Sequence, residues 1–194
     1  MEVQQQEHLI NNRMFKVLLG FLLLCCSSIS LAQEKEIIWC DSVKLSWSDY
    51  EVKNTKHKES AMSFIDLRYE GKVYDEKIKI KVYAQFSPKK SWVKPGSSQK
   101  LLNHEQLHFD IVELYARKLR KMIVETRLKP KSMNRKVSKF YNKILEQKNK
   151  CQDIYDKETN YSRNEAMQKE WSEKIDSKLD ELKEYSSIMV IKSY

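Results

Sequence analysis

The stretch Leu101-Leu-Asn-His-Glu-Gln-Leu-His-Phe-Asp-Ile111 begins a run with the 3.6-residue period of an amphipathic helix. No glycine or proline occurs between Gly96 and Pro130, and Ser97 or Ser98 is the expected N-cap. We therefore predict one long helix from about residue 99 to 128. Its inward stripe comprises Leu101, His104, His108, Ile111, Tyr115, Leu119 and Met122, widened by Leu107 and Leu114.

The N-terminal half has the two-residue period of β-strands. Apolar and polar residues alternate over residues 43–50, 61–70 and 73–86, and Gly71 suggests a hairpin between the last two runs. In the last run Ile78, Ile80, Val82 and Ala84 fall on one face, and Lys77, Lys79, Lys81 and Tyr83 fall on the other. This pattern predicts an antiparallel sheet with one solvent-exposed face.

Two more helical patterns follow Pro130. One covers residues 132–150, with Met133, Val137, Phe140, Ile144 and Leu145 inward. The other covers residues 165–184, with Met167, Trp171, Ile175, Leu179 and Leu182 inward. Residues 153–164 have no period and are predicted to form a loop, and residues 188–191 a last strand. The fold class is therefore α+β, an antiparallel sheet packed against a long helix and two further helices.

The first residues have the features of an export signal. Arg13 and Lys16 precede an apolar run of about 10 residues, which is short for a membrane span, and Ser30-Leu31-Ala32 is a small-x-small cleavage site. We predict a signal peptide over residues 1–32, a mature single domain over 33–194, and a periplasmic or extracellular location. Lipid attachment at Cys25 or Cys26 is the alternative, although leucines replace the small residues preferred before such a cysteine.

The net charge of +9 is spread along the chain. It suits contact with anionic surfaces such as membranes or cell-wall polymers, or simply a solvated lysine-rich surface. No nucleic-acid-binding module is recognisable. The mature chain keeps Cys40 and Cys151, and because an exported protein folds in an oxidising compartment, we predict a disulfide between them, with two free thiols as the alternative.

The segment His104-Glu105-Gln106-Leu107-His108 carries the chemistry. Residues four apart lie on one helix face, so His104 and His108 can present two imidazoles to one zinc ion, with Glu105 next to them as a general base. The competing interpretation is two hydrogen-bonded core histidines, since the stripe is otherwise apolar. Asp110 is either a partner that orients a ligand or an ordinary exposed carboxylate.

A zinc site needs a third protein ligand. Leu114 stands where one class of metalloprotease has a third histidine, which excludes that class. Glu165 and Glu170 are weak candidates from a later helix. His57 lies among lysines and is expected to be solvated.

The order of motifs resembles a known family. The motifs are Leu45-x-Trp47-x-Asp49-Tyr50, Ser91-Trp92, the Leu101–Ile111 segment, Ala116-Arg117-x-Leu119-Arg120, Tyr155-Asp156-x-Glu158-Thr159-Asn160 and Gln168-x-x-Trp171. They are similar to those of domain-of-unknown-function family 922, bacterial proteins described as predicted secreted zinc-dependent proteases. The resemblance covers nearly the whole mature chain.

The resemblance implies that His104 and His108 bind zinc and that Glu105 is the general base. The family pattern Y-D-x-x-T-x-H-G places a histidine where this chain has Tyr161, followed by Ser162 in place of glycine. Tyr161 occupies the presumed ligand position, but its phenol loses a proton only near pH 10. Asp156 offers an ionised oxygen without that cost. We therefore predict that the loop 153–162 closes over the histidines and completes the site through Asp156, Glu158 or Tyr161.

The leading functional hypothesis is an exported zinc-dependent hydrolase, a peptidase that acts on a peptide or protein through a metal-activated water. A second is a catalytically weakened relative that serves as an exported binding or assembly factor, motivated by Tyr161. A third is a structural envelope protein without metal, motivated by the apolar stripe that contains the histidines. The substrate and the oligomeric state do not follow from the sequence.

Overall fold

A long antiparallel hairpin forms the centre of the main sheet in the computed structural model, which describes residues 36–194. Its strands are β4 (Ile65–Tyr74) and β5 (Lys77–Phe86). The predicted inner face of β5 is confirmed, because Ile78, Ile80, Val82 and Ala84 are all fully buried. On the other face Tyr83 is buried, contrary to expectation: its hydroxyl donates to Glu70 and Lys81 lies over its ring.

Strand β5 is also paired along its second edge. β1 (Ile37–Ile38) pairs with residues 85–86 of β5, and β7 (Met189–Ser193) pairs with residues 77–81, both antiparallel. The predicted last strand is thus confirmed. It brings the C-terminus of the chain back to the hairpin.

The hairpin turn is four residues later than predicted. The chain turns at Asp75-Glu76, where Asp75 adopts a φ of 45°, a left-handed conformation that Asp tolerates better than most residues. Gly71 lies inside β4 opposite Ile80. A Cβ at Gly71 would come within 3.3 Å of the Met133 side chain, so the glycine is explained by the close approach of a helix to the sheet.

Residues 43–50 do not form the predicted strand. The Asp49 carboxylate accepts hydrogen bonds from the backbone N–H and the hydroxyl of Ser46, and these bonds start a short 3₁₀ helix, Trp47–Asp49. The alternation reflects Val43, Leu45 and Trp47, which pack against the core from an irregular segment. A second, small sheet follows, in which β6 (Trp92–Val93) pairs in parallel with β2 (Glu51–Val52) and antiparallel with β3 (Ala61–Met62).

The predicted long helix is confirmed as α1 (Gln99–Glu125), without a break near residue 110. Ser98 is its N-cap and accepts a hydrogen bond from the Leu101 N–H. α1 is buried on several sides because it contacts both strands of the hairpin and both later helices. It ends three residues before the predicted boundary, where the Lys192 ammonium from β7 donates to the carbonyls of Ile123, Val124 and Thr126.

The second helix is longer than predicted. α2 (Pro130–Glu158) begins with Pro130 at its first turn and extends through the first half of the segment predicted to be a loop. The inward set is largely confirmed by the burial of Met133, Val137 and Ile144. The connection that remains, residues 159–163, has positive φ angles at Asn160, Tyr161 and Ser162.

The third helix, α3 (Glu165–Glu181), is capped by Asn164 and followed by a 3₁₀ turn at Lys183–Tyr185. Trp171, Ile175 and Leu179 are buried as predicted. The described elements confirm the α+β class. Within residues 36–194, no helix is both long and apolar enough to cross a membrane.

The predicted Cys40–Cys151 disulfide is not formed. Cys40 is exposed after β1, where its Sγ lies 3.3 Å from the Ser42 hydroxyl. Cys151 is half-buried on α2 and lines a cleft beside Tyr115 and Trp171. The two thiols therefore have separate neighbours. The predicted signal peptide and cleavage site lie outside the described residues.

Candidate metal centre

Two helices bring three metal-ligating side chains to one point. His104 and His108 are one turn apart on α1, and Asp156 projects from the last turn of α2. Asp156 Oδ1 lies 3.1 Å from His104 Nε2 and 2.9 Å from His108 Nε2. One ligand atom from each residue lies within 4.8 Å of the others. The sequence spacing predicted the histidine pair, and Asp156 is the one of the three predicted candidates that the fold brings to it.

These separations fit a metal ion. Zinc bonds to nitrogen and oxygen are about 2.0–2.2 Å long, so two ligand atoms of a tetrahedral site are about 3.3–3.6 Å apart. The two contacts to Asp156 are shorter than this by a few tenths of an ångström, and the widest separation in the cluster reaches 4.8 Å, so the side chains would move slightly to bind an ion. The set of two imidazoles and one carboxylate also matches the three protein ligands of catalytic zinc sites, which leave one position open.

The charge distribution favours a cation at this point. Burial of the Asp156 carboxyl raises its pKa, but hydrogen bonds from His104 and His108 outweigh burial and hold the pKa well below its ordinary value. Asp156 is therefore ionised at neutral pH. Two neutral imidazole lone pairs that face a carboxylate oxygen would repel it unless a proton or a metal ion lies between them.

The opposite edge of the His104 ring has its own partner. His104 Nδ1 lies 3.2 Å from Gln168 Oε1 on α3, so Nδ1–H can donate to the amide when a metal ion takes the place of the Nε2–H hydrogen bond to Asp156. Tyr155 stacks on the imidazole with 4.5 Å between ring centroids, and its hydroxyl donates to the same amide oxygen at 2.8 Å. Gln168 Nε2 is buried and has no hydrogen-bond partner among the described residues.

Glu105 is buried next to the histidines and is held from the strand side. The Ser63 hydroxyl donates to Glu105 Oε2 at 2.6 Å, and the Tyr50 hydroxyl lies 2.7 Å from Ser63 Oγ. Burial, followed by the negative charge of Glu105, raises the pKa of Tyr50, so this phenol stays protonated. Glu105 Oε1 makes no hydrogen bond within residues 36–194 and is free to accept a proton.

The other candidate ligands do not join the cluster. The Tyr161 side chain is 59% exposed, and no hydrogen bond connects it to either histidine in the described part of the chain. Glu158 accepts from the Trp171 indole, and Glu165 pairs with Lys100. Glu170 is exposed.

Two further candidates serve other purposes. His57 is exposed and stacks on Trp92, with 5.4 Å between ring centroids. Asp110 is buried, contrary to the exposed alternative, and its Oδ1 accepts from Trp39 and Gln106 rather than from a ligand imidazole. It therefore fastens α1 to the segment after β1.

Three contributors to the site were not assigned roles from the sequence: Gln168, Tyr155 and Ser63. Gln168 and Tyr155 belong to motifs quoted above for the family resemblance, so a signal existed but carried no role. Ser63 lies between two strands, and nothing in its surroundings in the sequence marks it. Only the tertiary fold, which brings the connection between β3 and β4 to α1, places the Ser63 hydroxyl next to Glu105.

The fold and the site together define an α+β protein with a candidate metal centre on an H-E-x-x-H helix. The sequence profile of the family described as "Bacterial protein of unknown function (DUF922)" matches residues 41–164. This match covers more than half of the chain, so the chain belongs to that family. No curated protein and no solved structure matches the chain. The matched region contains His104, Glu105, His108 and Asp156, and it ends before Gln168.

Proposed function

We propose that this protein is a zinc-dependent hydrolase, of the peptidase type, that works outside the cytoplasm. The observation that carries the proposal is the convergence of His104, His108 and Asp156 on one point, with Glu105 adjacent in sequence on the same helix. His104, His108 and Asp156 would hold the ion. When bound, zinc would supply a Lewis acid that polarises a carbonyl and lowers the pKa of water.

The protein residues supply the remaining steps. Glu105 accepts the proton of the attacking water on Oε1 and then delivers it to the leaving amine. The Ser63 hydroxyl fixes the other carboxylate oxygen, so Glu105 does not rotate away from the water. Gln168 and Tyr155 hold the His104 ring in one orientation. The peptide substrate is proposed from the resemblance of the H-E-x-x-H helix to the zinc helix of metalloproteases.

Glu105→Gln tests the catalytic role. The change keeps the shape and the capacity to accept from Ser63 but removes the base, so we expect zinc binding to stay within about twofold while hydrolysis of a denatured casein substrate falls by about 10²–10⁴-fold. Zinc content is measured by elemental analysis and hydrolysis by release of labelled peptides. Equal activity of the variant and the parent protein would remove Glu105 from the mechanism.

Export is part of the proposal and has a separate test. It is supported by the charged, apolar and small-residue segments of residues 1–32. N-terminal sequencing of the protein recovered from an expressing bacterial host should give Gln33 as the first residue. Recovery of the intact N-terminus from the cytoplasmic fraction would contradict it.

A catalytically weakened binding protein is the second candidate. It is favoured by Tyr161, which occupies the family's histidine position yet is exposed in this structure. Both candidates bind zinc. The binding protein, however, should show no hydrolysis before or after Glu105→Gln. Detectable hydrolysis that depends on Glu105 rejects it.

A further inference from the structure

A cleft with a volume of about 440 Å³ lies between the three helices, outside the metal centre. Its floor is apolar and aromatic and includes Tyr115 of α1, Ile154 of α2, and Trp171 and Ile175 of α3. Ile154 is 38% exposed, so part of its side chain is available to a ligand. The volume is within the range of about 300–1,000 Å³ that small-molecule sites occupy.

Lysines surround this apolar floor. Lys118 comes from α1, Lys150 from α2, and Lys174 and Lys178 from successive turns of α3. None of the residues that line the cleft is acidic, and none of the four lysines forms an ion pair within residues 36–194. Elsewhere on the same surface, Lys169 and Lys183 are paired with Glu173 and Asp180. The lack of carboxylates that could pair with the lysines is therefore specific to the cleft.

The lysines are held close to the floor. The Lys118 ammonium lies 4.1 Å from the centroid of the Tyr115 ring, and the Lys174 ammonium lies 4.2 Å from that of Trp171. Burial lowers the pKa of Lys118; Cys151 opposes this effect, and the charge of Lys178 adds to it. A bound anion would relieve this repulsion and place its apolar part on the aromatic floor.

We propose that the cleft binds a single-chain amphiphilic anion, with its carboxylate or phosphate among Lys118, Lys150, Lys174 and Lys178 and its apolar chain against Tyr115, Ile154 and Trp171. The volume suits a single-chain molecule, and all three helices contribute residues to the lining. The site is distinct from the metal centre: Trp171 packs against Tyr155, which stacks on His104, so these two rings lie between the two sites.

Binding is tested with dodecanoate and dodecyl phosphate as probes, kept below their micelle concentrations and titrated by calorimetry into the full protein. Both should bind saturably, and the better of the two identifies the head group. Dodecyltrimethylammonium, which has the same chain and the opposite charge, should bind at least about tenfold more weakly. Equal binding of the cationic probe, or no saturable binding of either anion, would overturn the proposal.

A pair of matched variants locates the site. Lys118→Gln with Lys178→Gln removes two positive charges from the cleft and should weaken anion binding by about tenfold or more, the loss expected for charged hydrogen bonds. Lys169→Gln with Lys183→Gln removes the same charge from exposed positions outside the cleft and should change the affinity less than about twofold. Equal effects of the two double variants would show a general charge effect and contradict the site.

The two thiols give an independent readout. Cys151 lines the cleft and Cys40 is exposed outside it, so the bound anion should slow alkylation of Cys151 and leave Cys40 unchanged. The affinity for the anion should be the same in chelator-treated and zinc-loaded protein, which separates failure of this proposal from failure of the metal centre. Association with anionic vesicles without protection of Cys151 would assign the charge to a membrane surface and overturn the proposal.

Discussion

At the scale of single residues, the metal centre depends on side chains outside the H-E-x-x-H motif. The motif supplies two imidazoles, but a hydrogen bond from Nδ1 decides which nitrogen faces the ion. Gln168 provides that hydrogen bond for His104, and Tyr155 fixes both the ring and the amide. A substitution of Gln168 on α3 should therefore change the metal affinity, although Gln168 is 64 positions from His104 in the sequence.

Gln168→Leu should weaken zinc binding by about 10–100-fold, the usual effect of losing a hydrogen-bond partner of a metal-bound histidine. Gln168→Glu keeps an acceptor for Nδ1–H and should restore most of the affinity. Competition with a chromophoric chelator measures both. Equal affinity of the leucine variant and the parent protein would show that Gln168 only fills space.

The same scale shows what the sequence could predict of the site. His104, Glu105 and His108 follow from helical spacing, because residues four apart must share a face. Asp156 followed only as one member of a set with Glu158 and Tyr161, since all three lie near the end of α2 and the sequence does not say which side chain faces α1. The helix phase decides it: Asp156 faces the histidines, and Glu158 bonds to Trp171.

At the scale of elements, α1 is fixed to its surroundings by a buried charged group. Glu113 Oε1 lies 3.0 Å from Arg117 Nε and 2.5 Å from an Arg120 guanidinium nitrogen. Arg117 also donates to the Leu179 carbonyl near the end of α3, and Arg120 donates to the Ser186 carbonyl beyond it. All three charged side chains are almost fully buried. The group thus connects the helix that carries the metal centre to the C-terminal part of the chain.

Glu113→Gln leaves two buried arginines without a carboxylate and should destabilise the fold by about 3–5 kcal/mol. The matched control is Glu125→Gln on the same helix, where an exposed pair with Lys121 is lost and about 0.5 kcal/mol or less is expected. Urea denaturation measures both. A cost below about 1 kcal/mol for Glu113→Gln would show that the buried group contributes little net stability.

Lys148 on α2 gives a pH-dependent prediction. Burial lowers its pKa despite the attraction of Asp66, so between this lowered pKa and the unfolded value of about 10.4 the unfolded chain holds more protons. Stability from this residue therefore increases as pH rises through that window. Lys148→Met should raise the melting temperature at pH 7, and its advantage over the parent protein should shrink toward pH 10. An advantage that does not change with pH would contradict the assignment.

At the scale of the whole molecule, the sequence predicted the class and most elements because burial was regular. α3, the hairpin strands and β7 each have one apolar face against the core, so their periods are visible. α1 is buried on several sides but keeps a continuous apolar stripe, so its period is visible too. The failures occurred where burial was irregular. Residues 43–50 alternate without a partner strand, and residues 151–158 combine buried Tyr155 with site-facing Asp156, which hides the helical period.

The disulfide prediction failed for a related reason. The disulfide was predicted from the oxidising compartment that export implies. That argument says nothing about where the fold places Cys40 and Cys151. The turn was predicted at Gly71 because glycine is common in turns. In the structure this position is a glycine because the Met133 side chain of α2 packs closely against it. Both errors concern tertiary contacts that no local pattern contains.

The central claim is that the folded chain brings Asp156 to His104 and His108 to bind one zinc ion. Elemental analysis after zinc loading and gel filtration tests it most directly, with Asp156→Ala compared with Asp153→Ala, an exposed carboxylate on the same helix. We predict about one zinc per chain in the parent and in Asp153→Ala, and loss of most of the zinc in Asp156→Ala. Zinc content that is unchanged in Asp156→Ala, or absent from the parent protein, would contradict the account.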